Sequence, residues 1–377
     1  MISSASSTRF RSRVGRLALA CASTLTALAV ACLAAELYFR LRYPPTYTPD
    51  PGIVPDQTLG WDSVRPVTPL PLNAGNDLSV LFLGDSFTDR KEWPSEAQRR
   101  LRDAGIAIDG FNLGVTGFGT TQELLKLRQH TARLAPRAVV LLFFAWNDLR
   151  DNYPYPELAY GPQRASRPYL RVSDGATRVQ AVPWTSALHS SLLGSEVYLR
   201  IVNRAMLRFN KAVFRWWPNL PSRLGWRAWV YYEEPVSWHP FYQASRASSP
   251  YVKGAYEVTM AAFRGIRDLA ATRGAPLLVI GIDNAFTVDA EVADHFVKPF
   301  PDLDTSLPLA RIAQLLESDR IAFVNAQPEL LALREQTGRP VYSGPAGGLG
   351  IAGHLHPEAD RLIGTIAARW LAEHLAR

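Results

Sequence analysis

The chain carries the residue types of a nucleophilic site: a serine, an asparagine and two late histidines, far apart in sequence. A histidine within hydrogen-bond reach of a serine hydroxyl can take its proton, which makes the serine a nucleophile. An asparagine amide is a neutral donor that can be aimed at the negative charge that then develops. These types lie at Ser86, Asn147, His354 and His356.

The elements that would position these residues alternate between strands and helices. Such alternation predicts a parallel sheet covered by helices on both faces, an α/β three-layer fold. Ligands bind beyond the carboxyl ends of strands in such a sheet. Ser86, Gly114, Asn147 and Asp283 lie at or just after the carboxyl ends of predicted strands, and the two histidines could reach the same rim. Apolar runs predict strands at 79–86, 106–113, 138–148, 275–283 and 321–325; helices are predicted at 94–103, 120–134, 254–273, 308–318, 327–337 and from Pro357.

The N-terminal region predicts a membrane anchor. Leu17 to Ala35 is uncharged and would span roughly 28 Å as a helix, close to a bilayer core. Arginines precede it, which favours a cytoplasmic segment 1–16 and a single transmembrane helix at 17–39. A signal peptide cleaved after Ala31 and a lipoprotein attached at Cys32 are the alternatives. All three place the rest of the chain outside the cytoplasm, so we expect an inner-membrane protein with a periplasmic domain.

Composition excludes several other classes of function. The net charge of +7 comes with no nucleic-acid motif, so we expect no DNA or RNA partner. Both cysteines lie in the apolar segment, so the rest of the chain has no disulfide and no thiolate metal site. The other histidines show no metal-ligand spacing, and we expect neither a metal nor a cofactor.

Two segments lack the alternation of strands and helices: one lies between the anchor and the sheet, and the other lies inside the sheet domain. Residues 40–76 are rich in proline and are predicted to be an extended linker, ahead of a domain at 77–377. Residues 150–250 look like a helical and irregular insertion. Within it, 196–217 places arginines on one helical face and apolar residues on the other. This is either a helix packed on the domain or an interfacial helix on anionic lipid.

The order strand-GDSFT, strand-NLGVTG, strand-AWND, then a late His-Pro segment resembles the SGNH hydrolase superfamily, the GDSL-type esterases, lipases and acetylesterases. A segment at 55–66, PDQTLGWDSVRP, is similar to one in membrane-anchored members. The resemblance implies the flavodoxin-like SGNH fold and a serine esterase. It also implies Ser86 as nucleophile, with an oxyanion hole built from the N–H groups of Ser86 and Gly114 and the amide of Asn147. Asp85 and Asp148 are interpreted as acceptors for nearby loop N–H groups.

Two registers of the final motif compete for the catalytic base. The common family pattern Asp-x-x-His-Pro would select His356. A variant of anchored members, similar to Asp-Gly-His-Leu-Asn-Pro-Glu-Gly-His-Arg-Leu-Ile, selects His354 and also matches Arg361-Leu362-Ile363. We therefore assign the base to His354 and leave His356 as a loop residue or substrate contact.

In both registers the triad carboxylate is missing, because Ala352 or Gly353 stands at its position. Loss of this acid can cost about 10⁴-fold in rate. Three explanations would account for the missing carboxylate. The site could work as a Ser–His pair whose imidazole is held by a backbone carbonyl, it could use a substitute acid such as Asp283, or it could be a degenerate site that only binds.

Together these patterns predict a membrane-anchored serine esterase that removes or transfers an O-acyl group. We expect this group to be acetyl. The expected partner is an acylated polysaccharide or lipid of the cell envelope. The alternative is a non-catalytic SGNH-fold protein that binds carbohydrate or assists assembly.

Overall fold

The structure is a computed structural model, and it divides the chain into two compact units. One unit comprises residues 1–49, 159–165 and 184–232, and the other comprises 50–158, 166–183 and 233–377. The described residues are 4–42, 52–65, 67–75, 78–89, 91–153, 167–173, 176–180, 195–202, 239–298, 300–343 and 353–375.

In these ranges the strands are β1 Ile53–Asp56, β2 Gly60–Ser63, β3 Thr68–Pro69, β4 Ser79–Gly84, β5 Asp109–Asn112, β6 Ala138–Phe144, β7 Tyr169–Ser173, β8 Ala176–Gln180, β9 Leu277–Ile282 and β10 Ala322–Asn325. The helices are α1 Ser4–Arg42, α2 Trp93–Asp103, α3 Thr120–Leu134, α4 Ala145–Asp151, α5 Pro250–Ala271, α6 Ala290–Phe296, α7 Leu307–Ser318, α8 Gln327–Thr337 and α9 Pro357–Leu375.

The first unit contains one long apolar helix, α1. Its segment Leu19–Arg42 is long and apolar enough to cross a membrane, a test that a signal sequence also passes. At the end of this segment the Glu36 carboxylate accepts hydrogen bonds from the Ser195 hydroxyl at 2.8 Å and the Val197 N–H at 2.9 Å. A π-helical turn follows at Tyr198–Val202. Glu36 therefore caps the start of this turn within the same unit.

The second unit is built on a six-stranded sheet in the order β10-β9-β6-β4-β5-β3. All neighbouring pairs from β10 to β5 are parallel, and β3 adds an antiparallel edge. Counting only the parallel strands in chain order, the arrangement is 2-1-3-4-5, which is the flavodoxin-like doubly wound order. The predicted fold class is therefore confirmed.

The three central strands are apolar along their whole length, and this explains why they lie inside the sheet. Every residue of SVLFLG, AVVLLFF and LLVIGI in β4, β6 and β9 is buried. Strands covered on both faces lose the polar alternation of a half-exposed strand. Helix α2 packs against α9, and α3 packs against α5, to supply the covering layers.

One long-range cap joins the last helix to the first helix of the sheet domain. The carboxylate of Asp360, in the first turn of α9, accepts hydrogen bonds from the N–H groups of Glu92 and Trp93 at 2.7 and 3.2 Å. These N–H groups begin α2 and have no partner within that helix. The side chain of Asp360 thus replaces a local N-cap residue for α2.

The segment 40–76, expected to be an extended linker, differs in its described part. Strands β1 and β2 form an antiparallel hairpin, and β3 pairs with β5 in the main sheet. Leu59 and Trp61 are buried in a small core with Phe118, and the Trp61 indole donates to the carbonyl of Thr116 at 3.0 Å. Apolar residues spaced among prolines anchor the described part, 52–75, to the sheet unit, so this part is not an extended linker.

Two further expectations differ from the structure or lie outside it. The strand predicted to run through Asn147 ends at Phe144, and Asn147 lies in α4 instead. In the predicted insertion 150–250, β7 and β8 form a hairpin. Of the predicted helix 196–217, residues 203–217 lie outside the described residues.

Candidate active site

The candidate nucleophile lies on a tight turn directly after β4. Gly84 has φ +150°, and a Cβ placed there would lie 2.1 Å from the Thr88 hydroxyl oxygen. Only glycine fits this turn, because a side chain would be strained and would clash. Ser86 follows two residues later and is partly exposed at the carboxyl end of the sheet. The turn thus presents the Ser86 hydroxyl at the rim where ligands of such sheets bind.

Asp85 connects the nucleophile turn to Asn147. One of its carboxylate oxygens accepts from the Phe87 N–H at 2.8 Å, and the other accepts from the Asn147 amide at 2.8 Å. The side chain is completely buried, and this loss of solvation raises the pKa of Asp85 to about 6. The expected role as an acceptor for loop N–H groups applies here, and Asp85 also orients Asn147. Asp148 likewise accepts from the Phe144 N–H at 2.9 Å.

Gly114 lies against the backbone of the nucleophile turn. A Cβ at this position would be 2.6 Å from the Asp89 nitrogen and 2.7 Å from Thr88. The Gly114 N–H donates to the side-chain oxygen of Asn112 at 2.8 Å, and the Asn112 amide donates to the Thr88 carbonyl at 2.8 Å. Glycine is needed at 114 because the turn after Ser86 packs against it. Asn112 therefore fixes Gly114 to the turn, a link that no sequence motif indicated.

Two of the three groups expected to form the oxyanion hole donate hydrogen bonds within the protein. The Asn147 amide donates to the Asp85 carboxylate at 2.8 Å. The Gly114 N–H is engaged by Asn112. A side-chain amide carries two hydrogens. Within the described part of the chain only one hydrogen of the Asn147 amide is used, so the second can meet a substrate oxygen.

His354 lies beside the nucleophile turn. Its ring centroid is 4.9 Å from that of Phe87, the residue after Ser86. The His354 carbonyl accepts from the backbone N–H of Ser343 at 2.7 Å, and a β-bridge pairs Tyr342 with Leu355. The backbone of the histidine segment is thus paired with residues 342 and 343. No hydrogen bond between the Ser86 hydroxyl and His354 occurs in the described residues.

His356 occupies a different environment. Its side chain is exposed, and its backbone N–H donates to the Val341 carbonyl at 2.9 Å. It lines a surface depression with Arg339 and Pro357, which contains none of the other expected site residues. The structure therefore brings His354, but not His356, next to the turn that carries Ser86.

Asp283, the suggested substitute acid, is used elsewhere. It is completely buried and accepts from the Tyr242 hydroxyl at 2.5 Å and from the Asn284 N–H at 2.7 Å. Burial raises its pKa to about 7. Among the described residues no carboxylate hydrogen-bonds to His354, and position 352 lies outside them. Asp283 instead anchors the histidine segment through its backbone carbonyl, which accepts from the Tyr342 hydroxyl.

Burial and a neighbouring cation determine the protonation of His354. Loss of solvation, and secondly the positive charge of Lys91, lower the pKa of His354 to about 4. The imidazole is therefore neutral near pH 7, as a general base must be. The unfolded chain takes up this proton near pH 6.5, so His354 reduces the stability of the folded state progressively as the pH falls from 6.5 to 4.

We expect NMR titration of the imidazole signals to show His354 titrating near pH 4. His354→Asn would assign the signal by its disappearance. A His354 signal that titrates at or above the ordinary value of about 6.5 would contradict this environment and would indicate a carboxylate next to the ring.

Behind the nucleophile turn lies a group of buried carboxyl groups that the sequence did not reveal. Glu123 and Asp148 are completely buried, and burial together with the charges of neighbouring carboxylates raises the pKa of both well above the ordinary values. Next to them, Arg167 donates to Gln122 at 2.8 Å, to the Gly117 carbonyl at 2.8 Å and to Asp151 at 3.1 Å. Arg167 thus ties the start of α3 to the end of α4.

Replacing Arg167 by leucine is expected to lower the free energy of unfolding of the domain by about 3 to 5 kcal/mol, because buried acceptors lose a charged donor. Urea unfolding of wild type and Arg167→Leu measures the difference in the free energy of unfolding. Arg133→Leu is the matched control, since Arg133 is exposed and approaches only the His130 ring at 3.4 Å. Equal losses in the two variants would show that the Arg167 contacts contribute nothing beyond surface chemistry.

Comparisons with known proteins give similarities of fold at low sequence identity. No family model matches the chain, and no curated protein matches it. Among solved structures, a lipase/acylhydrolase from Enterococcus faecalis has 11% identity and a TM-score of 0.38, and the match covers 78% of this chain and 96% of that one. A GDSL-like lipase from Bacteroides thetaiotaomicron has 13% identity and a TM-score of 0.35, covering 82% and 93%. An acetylxylan esterase from Geobacillus stearothermophilus has 12% identity and a TM-score of 0.36, covering 81% and 96%. The fold assignment rests on the strand order of the sheet itself.

Proposed function

We propose that this chain is a serine acyl-ester hydrolase or O-acyltransferase. The observation that carries the proposal is that His354 lies beside the turn that holds Ser86: its imidazole is 4.9 Å from the ring of Phe87, the residue directly after the serine. Asp85 adds the Asn147 amide to the same turn at 2.8 Å. A nucleophile, a neutral base and an amide donor thus come from three distant parts of the chain.

The reaction follows from these three groups. The Ser86 oxygen attacks the ester carbonyl while His354 takes its proton, and the second hydrogen of the Asn147 amide meets the carbonyl oxygen as it becomes negative. The protonated His354 then gives its proton to the leaving alcohol, which leaves an acyl group on Ser86. Water releases the acid in a hydrolase, and an acceptor hydroxyl receives the acyl group in a transferase.

This chemistry makes two demands on the site. The Ser86 hydroxyl and His354 must come within hydrogen-bond distance, and such contacts commonly tighten only when substrate is bound. His354 must also work without a carboxylate partner in the described residues. A low rate is therefore expected, because the triad acid normally contributes about 10⁴-fold.

The location and the substrate are further parts of the proposal. The apolar helix α1 is consistent with a single-pass anchor at the inner membrane, with the sheet domain in the periplasm. We place the substrate in the cell envelope as an O-acyl ester, by expectation acetyl, on polysaccharide or lipid.

The test is active-site labelling of the full-length chain in detergent with a fluorophosphonate, followed by mass spectrometry of the labelled peptide. The proposal expects one adduct, on Ser86. A folded protein, checked by its melting transition, that forms no adduct would favour the second candidate, a non-catalytic carbohydrate-binding protein. That candidate is supported by the internal hydrogen bonds of Asn147 and Gly114 and by the absence, among the described residues, of a carboxylate bonded to His354.

Hydrolase and transferase are separated in the same preparation by supplying an acetyl ester with and without an oligosaccharide acceptor. Release of acetate at the same rate in both reactions indicates a hydrolase. Acetylated acceptor at the expense of free acetate indicates a transferase.

A further inference from the structure

A cavity of about 310 Å³ adjoins the candidate active site. Gly114 and Asn112 form one side of it, and Asp89 and Lys91, on the segment that continues from the Ser86 turn, form another. Arg65, from the segment between β2 and β3, also lines it. A cavity of this size is at the lower end of those that hold small ligands, which begin at about 300 Å³. It has room for about one sugar residue next to Gly114.

The charges of this cavity do not cancel among the described residues. Lys126 also lines it, but its ammonium group pairs with Asp62. Asp89 accepts from the Thr116 hydroxyl at 2.7 Å. By contrast, Lys91 and Arg65 have no ion pair in the part of the chain that the structure describes, and the Arg65 side chain is exposed. Lys91 and Arg65 therefore line the cavity without an ion pair among the described residues, so its lining keeps a positive charge even with Asp89 included.

A charge that lines the cavity also acts on the candidate base. The charge of Lys91 acts on His354 strongly enough to contribute to its low pKa. An anion bound at Lys91 would therefore be near the imidazole, and would also offset the repulsion between Lys91 and the imidazolium that forms during acyl transfer. Such a ligand supplies, from the substrate, part of what the missing triad acid supplies in the usual arrangement.

We propose that this cavity binds the carboxylate of an acidic sugar, so that the substrate of the enzyme is an O-acylated polysaccharide containing uronic acid. The inference rests on the proposed function and specifies its substrate. The planar guanidinium of Arg65 matches the two oxygens of a carboxylate, and Lys91 adds a point charge. Ser63, Ser95 and Asn112 line the same cavity and offer hydrogen-bonding groups to sugar hydroxyls. Apolar residues that include Val67, Leu70 and Leu113 form the rest of the lining and could contact the ring of the sugar.

The test compares kcat/KM of the full-length protein in detergent on two acetylated oligosaccharides of equal length, one of uronic acid and one of xylose. Wild type should prefer the acidic substrate. Lys91→Gln and Arg65→Gln should each lower the ratio of acidic to neutral kcat/KM about 3- to 10-fold, the range of partly exposed charge pairs. Raising the salt concentration to about 1 M should reduce the ratio for wild type, because screening weakens such contacts.

Arg273→Gln is the matched control. Arg273 is exposed and lies just before β9, at the opposite end of the strands from the cavity. Its substitution should leave the ratio unchanged. A ratio that is the same in wild type and in the double variant Lys91→Gln/Arg65→Gln overturns the proposal, while ester hydrolysis itself still stands.

Calorimetry distinguishes failure of the site from failure of the function. If wild type hydrolyses neither ester, binding of the deacetylated uronic acid oligosaccharide to wild type but not to the double variant still supports the cavity as an anion site. Binding to anionic phospholipid vesicles that depends on Lys91 and Arg65, with no binding of the oligosaccharide, would overturn the assignment to a polysaccharide.

Discussion

Replacing Ser86 by alanine is expected to reduce ester hydrolysis by about 10²-fold or more, because loss of the serine costs about 10⁶-fold in a complete triad and a histidine without an acid partner has already lost about 10⁴-fold of that. The substitution removes only the hydroxyl group, which makes no hydrogen bond to another described residue. The turn is held instead by Gly84, by the Asp85 carboxylate and by the contact of Gly114 with Thr88. We therefore expect the melting temperature to stay close to that of wild type. Initial rates on an activated acetyl ester measure the first effect, and a thermal melt measures the second.

Ser318→Ala is the matched control for the serine variant. The Ser318 hydroxyl is exposed at the end of α7 and donates only to the carbonyl of Leu315. Its loss should leave the rate unchanged. If Ser86→Ala kept more than a small fraction of the wild-type rate while remaining folded, the hydrolysis would have to come from another group.

The second large effect is expected for His354→Ala, with a loss of about 10²-fold or more, because Ser86 then has no group to take its proton. His356→Ala is the natural control, since it makes the same change two residues away. The His356 side chain is exposed, and its hydrogen bond to Val341 uses the backbone and survives the substitution. We expect its rate to stay within about twofold of wild type, as for most surface substitutions.

The same pair of variants decides the register of the final motif. A greater loss in His356→Ala than in His354→Ala would support the common Asp-x-x-His-Pro pattern. It would also mean that the segment 353–356 rearranges when substrate binds, because the ring beside Phe87 is that of His354. Equal large losses would indicate a general disturbance of the segment, which the melting temperature would reveal.

The sequence predicted those parts of the fold that depend on local pattern. Helices Thr120–Leu134 and Gln327–Thr337 have the bounds expected from their periodicity, and continuous apolar runs marked the three central strands. The end of β6 was placed too late. Ala145 and Trp146 continue the apolar run, but the chain already turns into α4, where the Asp148 side chain accepts from the Phe144 N–H. Composition cannot separate a buried strand from the first turn of a buried helix.

The sequence placed the candidate site residues at one rim but did not reveal how they are connected. The bond between Asp85 and Asn147 joins residues 62 positions apart, and Arg167 reaches Asp151 and Gln122 from the middle of a segment that has no regular pattern. Such bonds depend on which loops meet after folding. For the same reason, the occupied donors at Asn147 and Gly114 could not be anticipated, and the roles of the candidate site residues stay predictions.

The cap of α2 by Asp360 sets an order of events during synthesis of the chain. Helix α9 supplies this cap and directly follows His354, while α2 follows the turn that carries Ser86. A growing chain that stops before residue 354 therefore lacks both the proposed base and the carboxylate that caps α2. On the proposed mechanism, Ser86 is synthesised long before the residue that would activate it. A truncated polypeptide that ends before residue 354 should therefore be inert toward esters.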